Sequence, residues 1–407
     1  MMSRNVPKLR FKGFEDEWKE YRLGELFNFK NGLNKEKEYF GKGTPIINYT
    51  DVYKKIELTK KNILGLVEVN EKERENYSVR KGDVFFTRTS ETINEIGYTA
   101  VVTSDVEDTV FSGFVLRARP KVEYLSAAFC KYCFYTHNAR KEIITKSSYT
   151  TRALTSGSLL SGMNIFLPSL QEQEKIANFL SKVDSIIEKQ EKKVEYWNCY
   201  KKGIMQKIFL QKIRFKDDNG RNYPEWEENK LEDYIMEYTE KTVIDNQYPV
   251  LTSSRKGLML QSEYFKDRQV TTDSNIGYFV IPRGYITFRS RSDDGIFVFN
   301  QNNIIDKGII SYFYPVFNFN ESINKYYALI YMNNYLKKEI FKEVVGTSQL
   351  VLSMSKLKKL KIKFPCLDEQ IKIANFLSNI DNIIEKESNK LEELRQWKKG
   401  LLQQMFV

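Results

Sequence analysis

Leu167–Phe209 reads LPSLQEQEKIANFLSKVDSIIEKQEKKVEYWNCYKKGIMQKIF, and Phe364–Phe406 reads FPCLDEQIKIANFLSNIDNIIEKESNKLEELRQWKKGLLQQMF. The two stretches align without a gap at an offset of 197 residues and share the cores EQ-x-KIANFLS, IIEK and KKG. Chance does not produce such a match, so the chain is internally duplicated. The copies extend upstream. Lys141-Glu142-Ile143 falls on Lys338-Glu339-Ile340, and Leu9-Arg10-Phe11-Lys12 with Trp18 resembles Ile213-Arg214-Phe215-Lys216 with Trp226. Pro45-Ile46-Ile47 resembles Pro249-Val250-Leu251, and Gly82-Asp83-Val84-Phe85-Phe86 resembles Gly284-Tyr285-Ile286-Thr287-Phe288. The 407 residues are therefore two copies of one unit of about 200 residues, a domain duplication rather than a solenoid.

Each copy has a retained part and a diverged part. The retained part is helical. Ile176, Leu180, Val183, Ile187, Gln190, Val194, Trp197, Lys201, Ile204 and Ile208 alternate spacings of four and three, as do Ile373, Leu377, Ile380, Ile384, Glu387, Leu391, Leu394, Lys398, Leu401 and Met405. This is a heptad seam that a lone helix cannot bury, and its cheapest partner is its own repeat. About 38 residues at 1.5 Å each give a rod of roughly 57 Å. The polar seam positions Gln190, Lys201, Glu387 and Lys398 constrain the register of an antiparallel pair. They predict a Lys201–Glu387 ion pair and a Gln190–Lys398 hydrogen bond. The repeated Lys-Lys-Gly at 201–203 and 398–400 reads as a solvated face followed by a glycine for close helix packing. The diverged part holds short alternating runs such as GDVFFTR, GFVLRARP, GYFVIPRGYITFRS and GIFVFN, which read as strands, with helical stretches near 125–145 and 323–344. The fold class is α+β: two tandem α+β domains alternating with two long helices that pair as an antiparallel coiled coil about a pseudo-twofold. Its segments are 1–166, 167–210, 211–363 and 364–407.

Composition narrows the function. Hydrophobic residues make up 41% and charged residues 29%, ordinary for a globular chain. Lys and Arg number 64 against 53 acids, and the net charge of +11 favours a polyanionic partner, nucleic acid first. The single histidine, His137, argues against a multi-histidine metal centre and against histidine triads. Cys130-x-x-Cys133-x-x-x-His137 has ligand-like spacing, but it falls in a helical stretch with no second pair nearby and reads as buried helix positions. Four cysteines are too few for a disulfide scaffold, so a cytoplasmic location is expected, with no membrane span and no secretory signal. Walker-type and Gly-x-Gly-x-x-Gly motifs are absent, as is an adenine-methylating Asp/Asn-Pro-Pro-Tyr/Phe motif. Glu225, Glu227 and Lys230 mimic a nuclease motif only loosely.

The twice-repeated Pro-x-Leu-x-Glu-Gln-x-x-Ile-Ala-x-x-Leu, each time after a diverged α+β region, resembles one family across essentially the whole chain: the specificity subunit of Type I restriction–modification systems, HsdS. The resemblance implies two target recognition domains. Each would read one half of a bipartite, asymmetric site in double-stranded DNA. The paired helices would be spacers, and two modification (methyltransferase) subunits would dock on them, with restriction subunits as further partners. It implies no catalysis and no cofactor in this chain. S-adenosylmethionine, and ATP with Mg for restriction, belong to the partner subunits. The competing classes are a self-sufficient DNA enzyme such as a nuclease, disfavoured by the missing motifs, and a coiled-coil adaptor without DNA reading, disfavoured by the charge.

Base reading needs Arg, Lys, Asn, Gln, Ser or Thr that reach base edges. The candidates are Thr87, Arg88, Thr89 and Ser90 after GDVFF, with Arg289, Ser290, Arg291 and Ser292 at the equivalent place. Arg88 and Arg291 are the expected readers of one half-site each. Before the helices stand Tyr149, Thr151 and Arg152, and Thr347, Ser348 and Gln349. Tyr49 and Thr50 match Ser253, Ser254, Arg255 and Lys256, and Lys30 and Asn31 complete the set. Ordinary turn chemistry would favour many of the same residue types.

Overall fold

A computed structural model describes residues 5–265, 274–344 and 349–407. Two long helices dominate it, Leu170–Phe209 with 40 residues and Leu367–Gln404 with 38. They begin just after Pro168 and Pro365, which cannot donate within a helix. No helix among the described residues is long and apolar enough to cross a membrane.

The chain forms two compact units, residues 1–193 with 387–407, and residues 194–386. The linear partition at 166, 210 and 363 is therefore not the packing partition. Each unit takes the first half of one long helix and the last half of the other. The reason lies in the cores. In the first unit Ile176, Leu180 and Val183 of the first helix share a buried cluster with Leu401, Met405 and Phe406 from the end of the second. The Phe406 ring lies 6.0 Å from Trp18 and 5.3 Å from Phe129. In the second unit Ile373, Leu377 and Ile380 share a cluster with Met205, Ile208 and Phe209, and Phe209 lies 4.4 Å from Tyr335. Burying one such phenylalanine contributes ~1.5–3 kcal/mol, so each globular body needs a helix end from the other repeat.

The first unit is built on a five-stranded mixed sheet in the order Phe27–Asn31, Val115–Pro120, Val84–Thr87, Thr99–Val102, Glu57–Leu58. All of Val84–Thr87 is buried because both faces of the sheet are covered. Val84 and Phe86 face the main core with Leu116 and Phe129, and Phe85 faces a second cluster with Ile47, Ala100 and Val102. Cys130 and Cys133 are buried on the helix Ala127–Cys133. The second unit carries a four-stranded sheet in the order Ile235–Tyr238, Val316–Phe319, Ile286–Phe288, Phe299–Gln301, with the helices Lys325–Asn334 and Lys337–Glu343 beside it.

The repeated Glu-Gln is a fastening. Glu172 and Glu369 lie in the first turn of their helices, where the dipole favours an anion, and both are fully buried. Arg10 grips Glu172 through Nε and Nη2, both at 2.8 Å, and gives a further bond to the Asp16 carbonyl. Arg214 grips Glu369 at 3.0 and 2.8 Å and bonds the Pro224 carbonyl. Glu225 of the nuclease-like stretch is another Arg214 partner, at 3.3 Å. Gln173 accepts from the Ser126 N–H and donates to the carbonyls of Tyr124 and Pro168; Gln370 accepts from the Asn324 N–H and donates to the Pro365 carbonyl.

The register of the helix pair differs from the sequence expectation. In the first unit Gln190 donates to the Glu387 carbonyl at 2.9 Å and carboxylate at 2.7 Å, and Lys193 also pairs with Glu387. Lys398 reaches Asp184, 2.5 Å away, rather than Gln190, and the Tyr132 hydroxyl donates to the same Asp184 carboxylate. In the second unit Lys201 takes Asp381, six positions before Glu387, and the Tyr326 hydroxyl donates to that carboxylate. The cause is the same in both. A carboxylate just beside the seam, already held by a tyrosine from the globular body, offers a lysine a better partner than a seam residue does. Lys201 and Lys398 are thus ion-paired rather than solvated. Gly203 and Gly400 face open space, where an added Cβ would touch nothing within 4 Å, so close packing does not require them.

Arg214→Ala strands a buried Glu369 carboxylate. A loss of ~3–5 kcal/mol is expected in denaturant unfolding; a loss under about 1 kcal/mol would contradict the fastening role.

Candidate nucleic-acid interface

In the first unit the expected loop after GDVFF is mostly strand. Thr87 is fully buried, and its hydroxyl accepts from the Tyr98 N–H at 3.0 Å. Ser90 is buried too, and its hydroxyl accepts from the Thr92 N–H. Neither can reach a base. Arg88 is half-buried and donates to the Gly113 carbonyl at 2.9 Å, so one arm of its guanidinium braces the loop at Gly113. Lys30 is half-buried opposite Arg117, and burial together with the charges of Arg117 and Arg119 lowers its pKa. Asn31 lines a separate concavity with Asn28, Lys121 and Ser156.

The remaining first-unit candidates converge. Thr89–Ser90 pairs with Ala153–Leu154, which pairs with Ser148–Tyr149. The hairpin between these last two strands exposes Tyr149, Thr150, Thr151 and Arg152. Arg152 pairs with Glu91 at 3.1 Å, both largely exposed. Tyr49 stacks on Tyr53 with ring centres 5.4 Å apart. Its hydroxyl pKa is raised, by burial first, and the Tyr53 hydroxyl beneath it donates to Glu95 at 2.8 Å, four residues after Glu91. Thr50 is exposed on the same helical turn.

In the second unit one open concavity of about 600 Å³ gathers both candidate stretches, with Ser253, Ser254, Arg255 and Lys256 on one wall and Arg289, Arg291 and Ser292 on the other. The serines are structural. Ser253 accepts from Asn300 at 2.8 Å, Ser254 bonds the Gly257 carbonyl across the hairpin turn, and buried Ser292 donates to Asp294. Ser290 is held through its backbone by Phe313 and Leu352. The cations are presented. The Arg291 guanidinium lies 4.3 Å from the Phe313 ring centre, and Arg255 pairs with Asp294 at 2.6 Å. That pairing, with the Ile296 N–H, lowers the Asp294 pKa. Arg289 is exposed and has no ion pair among the described residues. Thr347 and Ser348 lie outside the described residues. Gln349 donates to Asp293 at 3.0 Å.

The two units share one construction here. Arg291–Ser292 pairs with Leu350–Val351 as Thr89–Ser90 pairs with Ala153–Leu154, with Ser292 opposite Leu350 and Ser90 opposite Ala153. Glu91 therefore corresponds to Asp293, and Arg152 to Gln349. In both, a long donor side chain just before one strand is held by a carboxylate just after the other. The sequence reading missed these acids, and also Tyr264, Phe265 and Tyr314 in the second-unit concavity. An acid directly after each Arg/Thr-Ser pair was the signal available.

Chemically, these surfaces offer exposed cations, amides and aromatic rings at a sheet edge, which suits contact with base edges and phosphates. A sequence model of a family described as Type I restriction modification DNA specificity domain matches residues 15–196 and again 205–396. The putative type I restriction enzyme MjaX specificity subunit of Methanocaldococcus jannaschii is 25% identical over 98% of this chain and 95% of its own length. The MjaVIII specificity subunit of the same organism is 27% identical over 67% of this chain and 68% of its own length. The crystal structure of the Type-I restriction-modification system S subunit from M. genitalium superposes with a TM-score of 0.54 at 15% identity, covering 99% of both chains. A chain from a structure on complex assembly and conformational transition of the type I R-M system also gives 0.54, at 16% identity, covering 96% of this chain and 97% of that one. These structural likenesses establish the same two-helix α+β fold.

The two arginines separate in a thermal melt. Arg88→Ala removes a half-buried brace and is expected to cost about 1–2 kcal/mol, whereas exposed Arg289→Ala stays within about 0.5 kcal/mol of the parent. Equal effects would contradict the distinction.

Proposed function

We propose a function from the premise that this chain belongs to the Type I restriction modification DNA specificity domain family: it reads a bipartite, asymmetric site in double-stranded DNA and carries methyltransferase subunits to it. The observation that carries this reading is the shared sheet-edge construction, which presents different side chains in the two units: Arg152 in one, Gln349 in the other. One architecture with two sets of reading groups suits two half-sites of different sequence. The net charge of +11 supplies the sequence-independent attraction to phosphates.

The chain acts by recognition, without a reaction of its own. Its long helices serve as spacers between the readers and as the platform for two methyltransferase subunits. In the first unit Ile186 and Trp397 stay exposed on these helices, and in the second Tyr196 does, apolar surface that a docked subunit would cover. S-adenosylmethionine and the adenine chemistry sit on the methyltransferases. Restriction subunits, with ATP and Mg, join for cleavage. The assembly works in the cytoplasm, where chromosomal DNA is the substrate.

The test is selection from a randomised duplex library by the full chain assembled with methyltransferase subunits. Two blocks of fixed bases, separated and different from each other, are expected. Arg289→Ala should relax one block only, by the ~1–3 kcal/mol that a good bidentate base pairing supplies. A uniform loss across both blocks would remove Arg289 from the reading role, and enrichment of no sequence would remove the function.

A further inference from the structure

The correspondence of Arg152 and Gln349 carries more than the existence of two readers. These side chains occupy equivalent points of equivalent strand pairs, and each is tethered by one atom to one acid. The Arg152 Nη2 reaches Glu91 at 3.1 Å, and the Gln349 Nε2 reaches Asp293 at 3.0 Å. We propose that Arg152 and Gln349 are the equivalent base-reading residues of the two half-sites, Arg152 selecting guanine and Gln349 selecting adenine, with Glu91 and Asp293 as positioning residues. The proposal rests on the DNA-reading function above and names the bases at one position of each half-site.

The chemistry follows from which donors the tethers leave over. A guanidinium has five N–H donors in a planar fork. Glu91 engages one arm, and the rest can meet the O6 and N7 acceptors of guanine in the major groove. A primary amide has two N–H donors and one carbonyl. With one Nε2 hydrogen on Asp293, the second can meet adenine N7 while Oε1 accepts from adenine N6, the bidentate pattern specific to adenine. The tether also sets the amide's orientation, because a carboxylate accepts only from the nitrogen side. Both tethers are solvent-exposed and weak, so a base edge can pull the reading group over without a large penalty. Ser90 is buried in the same small sheet, and Arg88, just before that strand, is braced on the Gly113 carbonyl while its own carbonyl accepts from the Thr155 N–H, which stiffens the platform.

The alternative for each tethered pair is a plain surface contact, and exchange of the reading groups decides between them. The full chain, assembled with methyltransferase subunits, is put through the random-duplex selection as parent, Arg152→Gln and Gln349→Arg. The parent motif should hold a guanine in one half-site that Arg152→Gln changes to adenine, and an adenine in the other that Gln349→Arg changes to guanine. Each preference should shift about tenfold or more, with the other half-site untouched. Arg152→Lys, which keeps the charge and loses the fork, should weaken the guanine preference without installing adenine. Glu91→Gln should keep guanine as the preferred base while reducing its margin severalfold, a readout that a purely structural Glu91 would not move. A parent motif that none of the exchanges alters overturns the assignment of Arg152 and Gln349 and leaves the DNA-reading function standing. A parent that enriches no motif overturns both. Thermal melts of the exposed-site variants should match the parent, and a variant that melts early is replaced by Arg152→Lys as the deciding case.

Discussion

A carboxylate with no access to water sits in the first turn of each long helix, and the fold depends on how it is held. Burying such an ion unpaired would cost several kcal/mol. Arg10 and Arg214 remove that cost with bidentate grips, and each arginine bonds a backbone carbonyl of its own globular body with the same guanidinium. The helix start is thereby fastened to the sheet domain. Gln173 and Gln370 repeat the fastening with neutral bonds one residue on. Each helix start is then fixed within its own globular body, and the far ends supply Phe209 and Phe406 to the opposite cores. Most of the retained residues serve architecture: the fastening, the seam, and the helix end that the other core requires.

Architecture of this kind leaves the sheet edges free to vary. Around Ser90 and Ser292 the backbone pairing is the same in both units, and the burial of those serines is the same, but the projecting groups differ. The first unit presents Tyr149 and Arg152, the second Arg255, Arg289, Arg291 and Gln349. Reading groups on a strand edge braced by buried neighbours keep their geometry as their identities change. On the proposed function, this lets one fold serve two different half-sites.

The sequence made the duplication, the two long helices and the α+β class legible, because a gap-free 43-residue repeat, identical at more than half of its positions, and two sustained periodicities leave little room for another fold. The register was not legible. A heptad reading weighs only seam positions, while Asp184 and Asp381 lie beside the seam and owe their importance to Tyr132 and Tyr326, which come from elsewhere in the chain. The first-unit site was half legible for a similar reason. Thr87 and Arg88 look like a presented loop until Tyr98 and Gly113 close on them from distant segments. Lys30 gives no hint in sequence that Arg117 lies across from it. The second-unit concavity was better anticipated, since Arg255, Lys256, Arg289 and Arg291 all reach it.

The most direct measurement is a genome-wide map of methylated adenines in cells expressing this chain with a methyltransferase subunit, set against cells expressing the methyltransferase alone. A two-part, asymmetric motif is expected only when both chains are present. Methylation without a motif, or the same motif from the methyltransferase alone, would contradict it.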